Sequence, residues 1–101
     1  MVLKREASCP LCGAKLAPTQ VLDACEEVVD AALGVLGCRC PYCQGYFEVK
    51  PTAESVEIGY LQNGCFETVV SLPVDGLTML RDTATGLLRI RLGGRDWKFE
   101  E

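Results

Sequence analysis

The sequence contains no histidine. That removes the side chain that most often serves as a general base and as a ligand of catalytic zinc. Long apolar runs are also missing. None approaches the ~20 residues a helix needs to cross a bilayer, and Lys4, Arg5 and Glu6 interrupt the start before a leader-type apolar stretch can build. Positive charge is short: 10 Lys and Arg stand against 14 Asp and Glu, a net charge of −4. A chain with that balance is not expected to grip a polyanion or an anionic lipid surface with its whole exterior. Aromatic residues make up only 7%. No pairing of a nucleophile with a base, and no phosphate-cradling loop, can be assembled from what remains, so an enzyme is not expected.

What is abundant is apolar content and cysteine. Of 101 residues, 49% are hydrophobic, enough for one packed core and too many for disorder. There are 7 cysteines. Four of them form two C-P-x-C pairs, Cys9-Pro10-Leu11-Cys12 and Cys40-Pro41-Tyr42-Cys43. An odd total with this spacing reads as metal binding rather than as a disulfide framework. Four thiolates on two such turns form a tetrahedral Zn²⁺ site, one ion per chain, and the metal replaces core that a small protein lacks. With all four positions filled by sulfur, the ion has no open position for activating water. The zinc is therefore expected to be structural, in a soluble protein of a reducing compartment, the cytoplasm.

In each pair the chain must bend so that backbone N–H groups point at the first thiolate. Pro10 and Pro41 preset the turn, and Gly13 supplies the left-handed residue after Cys12. After Cys43 comes Gln44-Gly45, with the glycine one position late. Lys4 to Leu16 reads as a short hairpin with the first turn at its tip. A helix is expected to open at Pro18-Thr19, with Thr19 as N-cap. Val21, Leu22, Cys25, Val28, Val29 and Ala32 recur at helical spacing, and Gly34 and Gly37 mark the end. A strand from Val35 to Arg39 enters the second turn, and Tyr46 to Val49 leaves it as another.

The four cysteines, Pro10, Pro41 and Gly13 resemble the zinc-ribbon superfamily over about residues 4–50. The resemblance implies a zinc ribbon; the helix expected between the cysteine pairs departs from it, since many ribbons have only strands and a short loop there. The resemblance also implies a role in transcription, translation or nucleic-acid-processing assemblies, where such modules serve as interaction parts. Rubredoxins share the paired spacing and bind iron, but the aromatic cluster that packs around their site is missing.

Beyond Pro51-Thr52, the expected seam, the pattern is β. Val56, Ile58 and Tyr60 alternate with Glu57, Gly59 and Leu61. A two-residue Asn63-Gly64 turn would set Tyr60 opposite Glu67, so a three-residue Gln62–Gly64 loop is preferred, with Tyr60 opposite Phe66 and Val56 opposite Val70. Leu77–Asp82 and Leu87–Leu92 pair around residues 83–86. Gly93-Gly94 turns into a last strand that sets Ile90 against Trp97, Leu88 against Phe99 and Arg91 against Asp96. The expected fold is α+β: a helix-inserted zinc ribbon (1–51) packed on an antiparallel β-meander (52–101).

Three readings of function follow. The first is a non-catalytic module that binds another protein. The second is a nucleic-acid-binding module using Arg89, Arg91, Arg95 and Lys98, the basic face of the last hairpin; this is not favoured, because Asp96, Glu100 and Glu101 dilute that face. The third is a thiol-based redox or metal sensor. C-R-C-P-Y-C places Cys38 beside the second turn, as an accessory thiol able to replace Cys40 or to resolve an oxidised ligand, unless strand alternation turns it to the core. Cys25 is expected as a small core hydrophobe.

Overall fold

A computed structural model of the chain describes residues 9–82 and 84–100. The arm of the first expected hairpin before Cys9 lies outside them. One short helix, α1 (Pro18–Asp23), precedes eight strands: β1 (Cys25–Asp30), β2 (Val35–Arg39), β3 (Tyr46–Pro51), β4 (Ser55–Gln62), β5 (Cys65–Pro73), β6 (Thr78–Asp82), β7 (Leu87–Leu92) and β8 (Arg95–Glu100). The fold is mostly antiparallel β with one small helix, so α+β fits it loosely. Every pairing is between sequence neighbours. β1 to β5 form one sheet in order, and β6 to β8 form a second. The strands divide between sheets after Pro73. Pro51 and Thr52, the expected seam, instead lead from β3 into β4, its partner in the same sheet. The sheets close on one core, in which Leu22, Leu36 and Phe47 of the first part meet Leu88, Ile90 and Trp97 of the second.

The long helix expected from residue 19 onward is not formed. α1 is six residues long, and its N-cap is Ala17, whose N–H donates to the Gln20 side-chain oxygen at 2.8 Å; Thr19 lies inside the helix. Residues 25–30 form β1 instead, paired with β2. The physical reason lies in two register shifts, one between Cys25 and Glu27 and one between Val28 and Asp30. Each bulge adds a residue and so stretches the inward spacing from two to three. Cys25, Val28 and Ala31 are the buried positions that result. A strand bulged twice therefore imitates the i, i+3 spacing of a helix. The β-branched Val28 and Val29 suit a strand, and the turn is closed by Gly34 at φ 73°, with the Asp30 carboxylate accepting the Leu33 N–H at 3.0 Å.

The β4–β5 hairpin corrects a second expectation. Its turn is the two-residue Asn63-Gly64, both residues left-handed at φ 52° and 79°. Tyr60 does stand opposite Glu67, yet Val56 stands opposite Leu72 and Ile58 opposite Val70. A register shift between Ile58 and Gly59 restores the apolar alternation. Gly59 permits it: a Cβ there would lie 1.9 Å from the Glu67 carbonyl oxygen. An isolated glycine within a strand pattern is the sequence mark of such a close approach. The C-terminal hairpin has the expected register, with Ile90 against Trp97, Leu88 against Phe99 and Arg91 against Asp96.

Because the obstacle at Gly59 is backbone, Gly59→Ala should destabilise the fold by about 2–4 kcal/mol. Gly64→Ala, which meets nothing within 4 Å and is penalised only by its left-handed φ, should cost about 1 kcal/mol. Urea unfolding of the two variants checks the order; equal losses would remove the bulge from this account.

Candidate metal centre

The two C-P-x-C segments fold alike. In the first, the Cys9 N–H donates to the Ala14 carbonyl at 3.2 Å and the Gly13 N–H to the Cys9 carbonyl at 2.9 Å. In the second, the Cys40 N–H donates to the Gly45 carbonyl at 2.9 Å and the Gln44 N–H to the Cys40 carbonyl at 2.9 Å. These closures aim free backbone N–H groups at sulfur. Leu11 and Cys12 both donate to Cys9 Sγ at 3.4 Å, Tyr42 donates to Cys40 Sγ at 3.4 Å, and Gly45 donates to Cys43 Sγ at 3.4 Å. Such bonds stabilise thiolate without neutralising it.

The residue that takes the left-handed bend after Cys43 is Gln44, at φ 64°, in the place that Gly13 holds in the first turn at φ 73°. Gly45 has a different task. A Cβ on it would lie 2.2 Å from Leu11 Cδ1 and 3.2 Å from Cys43 Sγ. The late glycine therefore lets the first turn lie against the second.

That approach brings the Sγ atoms of Cys9, Cys12, Cys40 and Cys43 within 4.8 Å of one another. Cys9 and Cys43 are 3.7 Å apart, and Cys12 and Cys40 are 3.8 Å apart. A tetrahedral zinc with Zn–S bonds of ~2.3 Å has S···S edges of ~3.8 Å. The donor set and spacing fit a metal ion of this kind. Cys9 and Cys40 are buried at the base, while Cys12 and Cys43 are exposed.

Within the cluster, Cys9 is shifted one way and Cys12 and Cys43 the other. At Cys9, burial works against ionisation but is outweighed by the N–H groups of Cys12 and Leu11 and by neighbouring thiols, and the pKa falls to about 7. At Cys12, a backbone hydrogen bond from Ala14 favours the thiolate, but burial and the sulfurs of Cys9, Cys43 and Cys40 together push the pKa up to about 12. Cys43 is also raised: the Gly45 N–H opposes the rise, while burial and the thiols of Cys40 and Cys9 drive it. Four anions this close do not coexist without a positive charge among them.

Cys38 is not placed to join the cluster. It is buried on β2 directly opposite Cys25, at a Cα–Cα distance of 3.9 Å, and the two sulfurs are bonded as a disulfide. Alternation has turned it to the core, on the face it shares with Phe47. Cys25 is thus not a lone core hydrophobe. Cys65, the remaining cysteine, is exposed at the start of β5.

Beside the centre lies a polar cluster that sequence reasoning did not single out. The Glu48 carboxylate accepts the Tyr46 hydroxyl at 2.8 Å and the Leu61 N–H at 2.5 Å. The Tyr60 hydroxyl donates to the Tyr46 carbonyl at 3.2 Å. Burial raises the Tyr60 pKa, and the charges of Cys9, Glu48 and Cys43 add to it. Glu48 is flanked on its two neighbouring strands by Gly37 and Gly59. Those two strand glycines were the available signal.

Of the four residues expected to form a basic face, two are committed within the fold. Arg91 pairs with Asp96, Nε to Oδ1 at 2.8 Å. Arg95 donates two hydrogen bonds to Asp23, at 2.7 and 3.2 Å, and lies over the Trp97 ring. Trp97 Nε1 donates to the same carboxylate at 2.9 Å. Arg89 and Lys98 stand opposite each other across β7 and β8. The acidic residues Asp23, Glu26, Glu27 and Asp30 fall on the end of α1 and on β1.

Comparison of the chain with known protein families, with characterised proteins and with solved structures finds no match.

Gln44→Gly relieves the left-handed strain and should raise the stability of the metal-loaded protein by about 0.5–1 kcal/mol, net of the added freedom of glycine when unfolded. A thermal melt checks the sign; a lower melting temperature would mean that the Gln44 side chain contributes more than its backbone costs. Asp23→Ala should cost up to about 1 kcal/mol near neutral pH, since the pair is exposed. The hydrogen bond from Arg95, then that from Trp97, holds the Asp23 pKa below its ordinary value. A lowered pKa contributes stability above the unfolded value of about 3.9 and loses it as pH falls through the folded value. The gap between wild type and variant should therefore close as pH drops below about 4. A gap independent of pH would assign the effect to packing.

Proposed function

We propose that the chain is a non-catalytic interaction module whose fold is secured by one structural Zn²⁺ on Cys9, Cys12, Cys40 and Cys43. The observation that carries this reading is the cluster of four sulfurs within 4.8 Å, served by backbone N–H donors from both turns. Four thiolates fill a tetrahedron, so the ion is a staple and not a Lewis acid. The ion would also supply the positive charge that favours the thiolate form of Cys12 and Cys43, whose pKa values are raised. The thiolate set favours a reducing, cytoplasmic setting. Among the described residues, no helix is long and apolar enough to cross a membrane.

The partner is proposed to be a protein with an apolar surface. Leu11 and Tyr42 occupy the same position in the two C-P-x-C turns and are exposed by 57% and 63%. The metal thus holds two apolar side chains outward at its rim, an arrangement that recognition through a few anchor residues can use. The alternative, nucleic-acid binding, is weakened by the ion pairs of Arg91 and Arg95. Arg89 and Lys98 would remain for phosphate, and affinity built on counterion release needs several such contacts.

Purified protein should contain one zinc per chain by elemental analysis. Cys→Ser at any of the four positions should lower occupancy, and chelation should unfold the first sheet, because structural zinc supplies about 10 kcal/mol or more in small domains. A metal-free protein with unchanged circular dichroism would end the reading. Leu11→Ser with Tyr42→Ser should keep the metal while removing proteins that the immobilised chain retains from lysate; an unchanged set of retained proteins would move the interface elsewhere.

A further inference from the structure

Cys25 and Cys38 lie outside the metal cluster, and their placement gives them a chemistry of their own. They face each other directly across β1 and β2, 3.9 Å apart at Cα, with their sulfurs bonded. Both side chains are buried in the core, Cys38 completely and Cys25 at 8% exposure. Cys40 follows Cys38 by two residues, yet its sulfur joins Cys9, Cys12 and Cys43 in the other group. The chain therefore carries two sulfur sites with opposite requirements. The metal site needs thiolates; the cross-strand pair can be dithiol or disulfide without drawing on them.

Both states of the pair have a place. In the disulfide, β1, an edge strand whose pairing slips register twice, is held covalently to β2. In the dithiol, the Cys25 sulfur already lies 3.2 Å from the Val21 carbonyl oxygen. That acceptor can satisfy a buried S–H, and a disulfide sulfur has no proton to offer it. The junction is further fixed by the Arg39 N–H, which donates to the Ala24 carbonyl at 3.2 Å. This hydrogen bond and the β1–β2 ladder do not depend on the sulfur–sulfur link.

We propose that Cys25–Cys38 is a reversible redox site, independent of the metal centre, that exchanges with low-molecular-weight disulfides such as oxidised glutathione. Closure runs in two displacements. The Cys25 thiolate, on the less completely buried residue of the pair, attacks the oxidant's S–S bond, forms a mixed disulfide and releases one thiolate. The Cys38 thiolate then attacks Cys25 Sγ, forms the cross-strand bond and expels the second. The chain loses two electrons and two protons, and the oxidant leaves as two thiols. Cys38 thus acts by bonding to Cys25, not by replacing Cys40 on the metal.

The test equilibrates zinc-loaded wild-type protein in glutathione buffers from strongly reducing to strongly oxidising. Free thiols are trapped by acid quench and alkylation, and cysteine connectivity and zinc are measured separately. The expected result is a single transition that links Cys25 to Cys38, reversed at reducing ratios, with zinc content constant throughout. Native hydrogen exchange of residues 26–30 should speed up on reduction, while residues 40–45 keep their protection. Three outcomes overturn the proposal: a disulfide that stays closed in the native protein at every ratio, a pair that stays dithiol at every ratio, or oxidation that links metal cysteines and releases zinc in step. Cys25→Ala and Cys38→Ala should each retain zinc and lose the transition; if either fails to fold, the wild-type connectivity map still decides. Because zinc and connectivity are read separately, a protein without metal would not be mistaken for a failed redox site.

Discussion

Four sulfur atoms must share a space about the size of one ion, and much of the first half of this chain is arranged around that requirement. The two turns that hold them are related by nearly the same hydrogen bonds, so each contributes one buried and one exposed sulfur. Bringing the turns together puts four acids in mutual repulsion, which the separation of Cys9 at about 7 from Cys12 at about 12 makes visible. Backbone N–H groups offset part of that repulsion; a metal cation would offset the rest. The strands that carry the second turn, β2 and β3, are both interior strands of the five-stranded sheet.

The second sheet completes the first by closing the core. Leu88, Ile90 and Trp97 fill it from one side, and β8 meets β1 along the edge. Asp23 anchors that contact, with Arg95 and Trp97 both directed to its carboxylate. The cationic side chains that a linear reading would assign to an external ligand are partly consumed by this internal task. An exposed ion pair contributes little energy, but it fixes where the hairpin sits. The glycines of the sheet interior have a comparable positional role: Gly37 leaves room for the Tyr46 ring, whose hydroxyl reaches Glu48, and Gly59 admits the bulge that restores the β4–β5 register.

Several features were legible in the chain because they depend on neighbours in sequence. The C-P-x-C spacing determined which four thiols could meet. Strands β2 and β7, the Gly93-Gly94 turn and the pairing of Ile90 with Trp97 followed from turn chemistry and alternation, which are local rules. The late glycine at position 45 was visible as a departure, although its use, to admit Leu11, was not. Tertiary structure decided what local periodicity leaves degenerate. Cys25, Val28 and Ala31 fit a helix face and a twice-bulged strand equally well, and only pairing with β2 selects the strand. The same pairing set Cys38 against Cys25 and away from the four-sulfur cluster. Whether Arg91 and Arg95 face solvent or a carboxylate depends on Asp96 across a turn and on Asp23, 72 residues away along the chain. The sequence by itself thus determined the chemistry available, because ligand type and spacing are written residue by residue; the fold decided which sulfur meets which and which charges stay free, because those depend on distances that only packing sets.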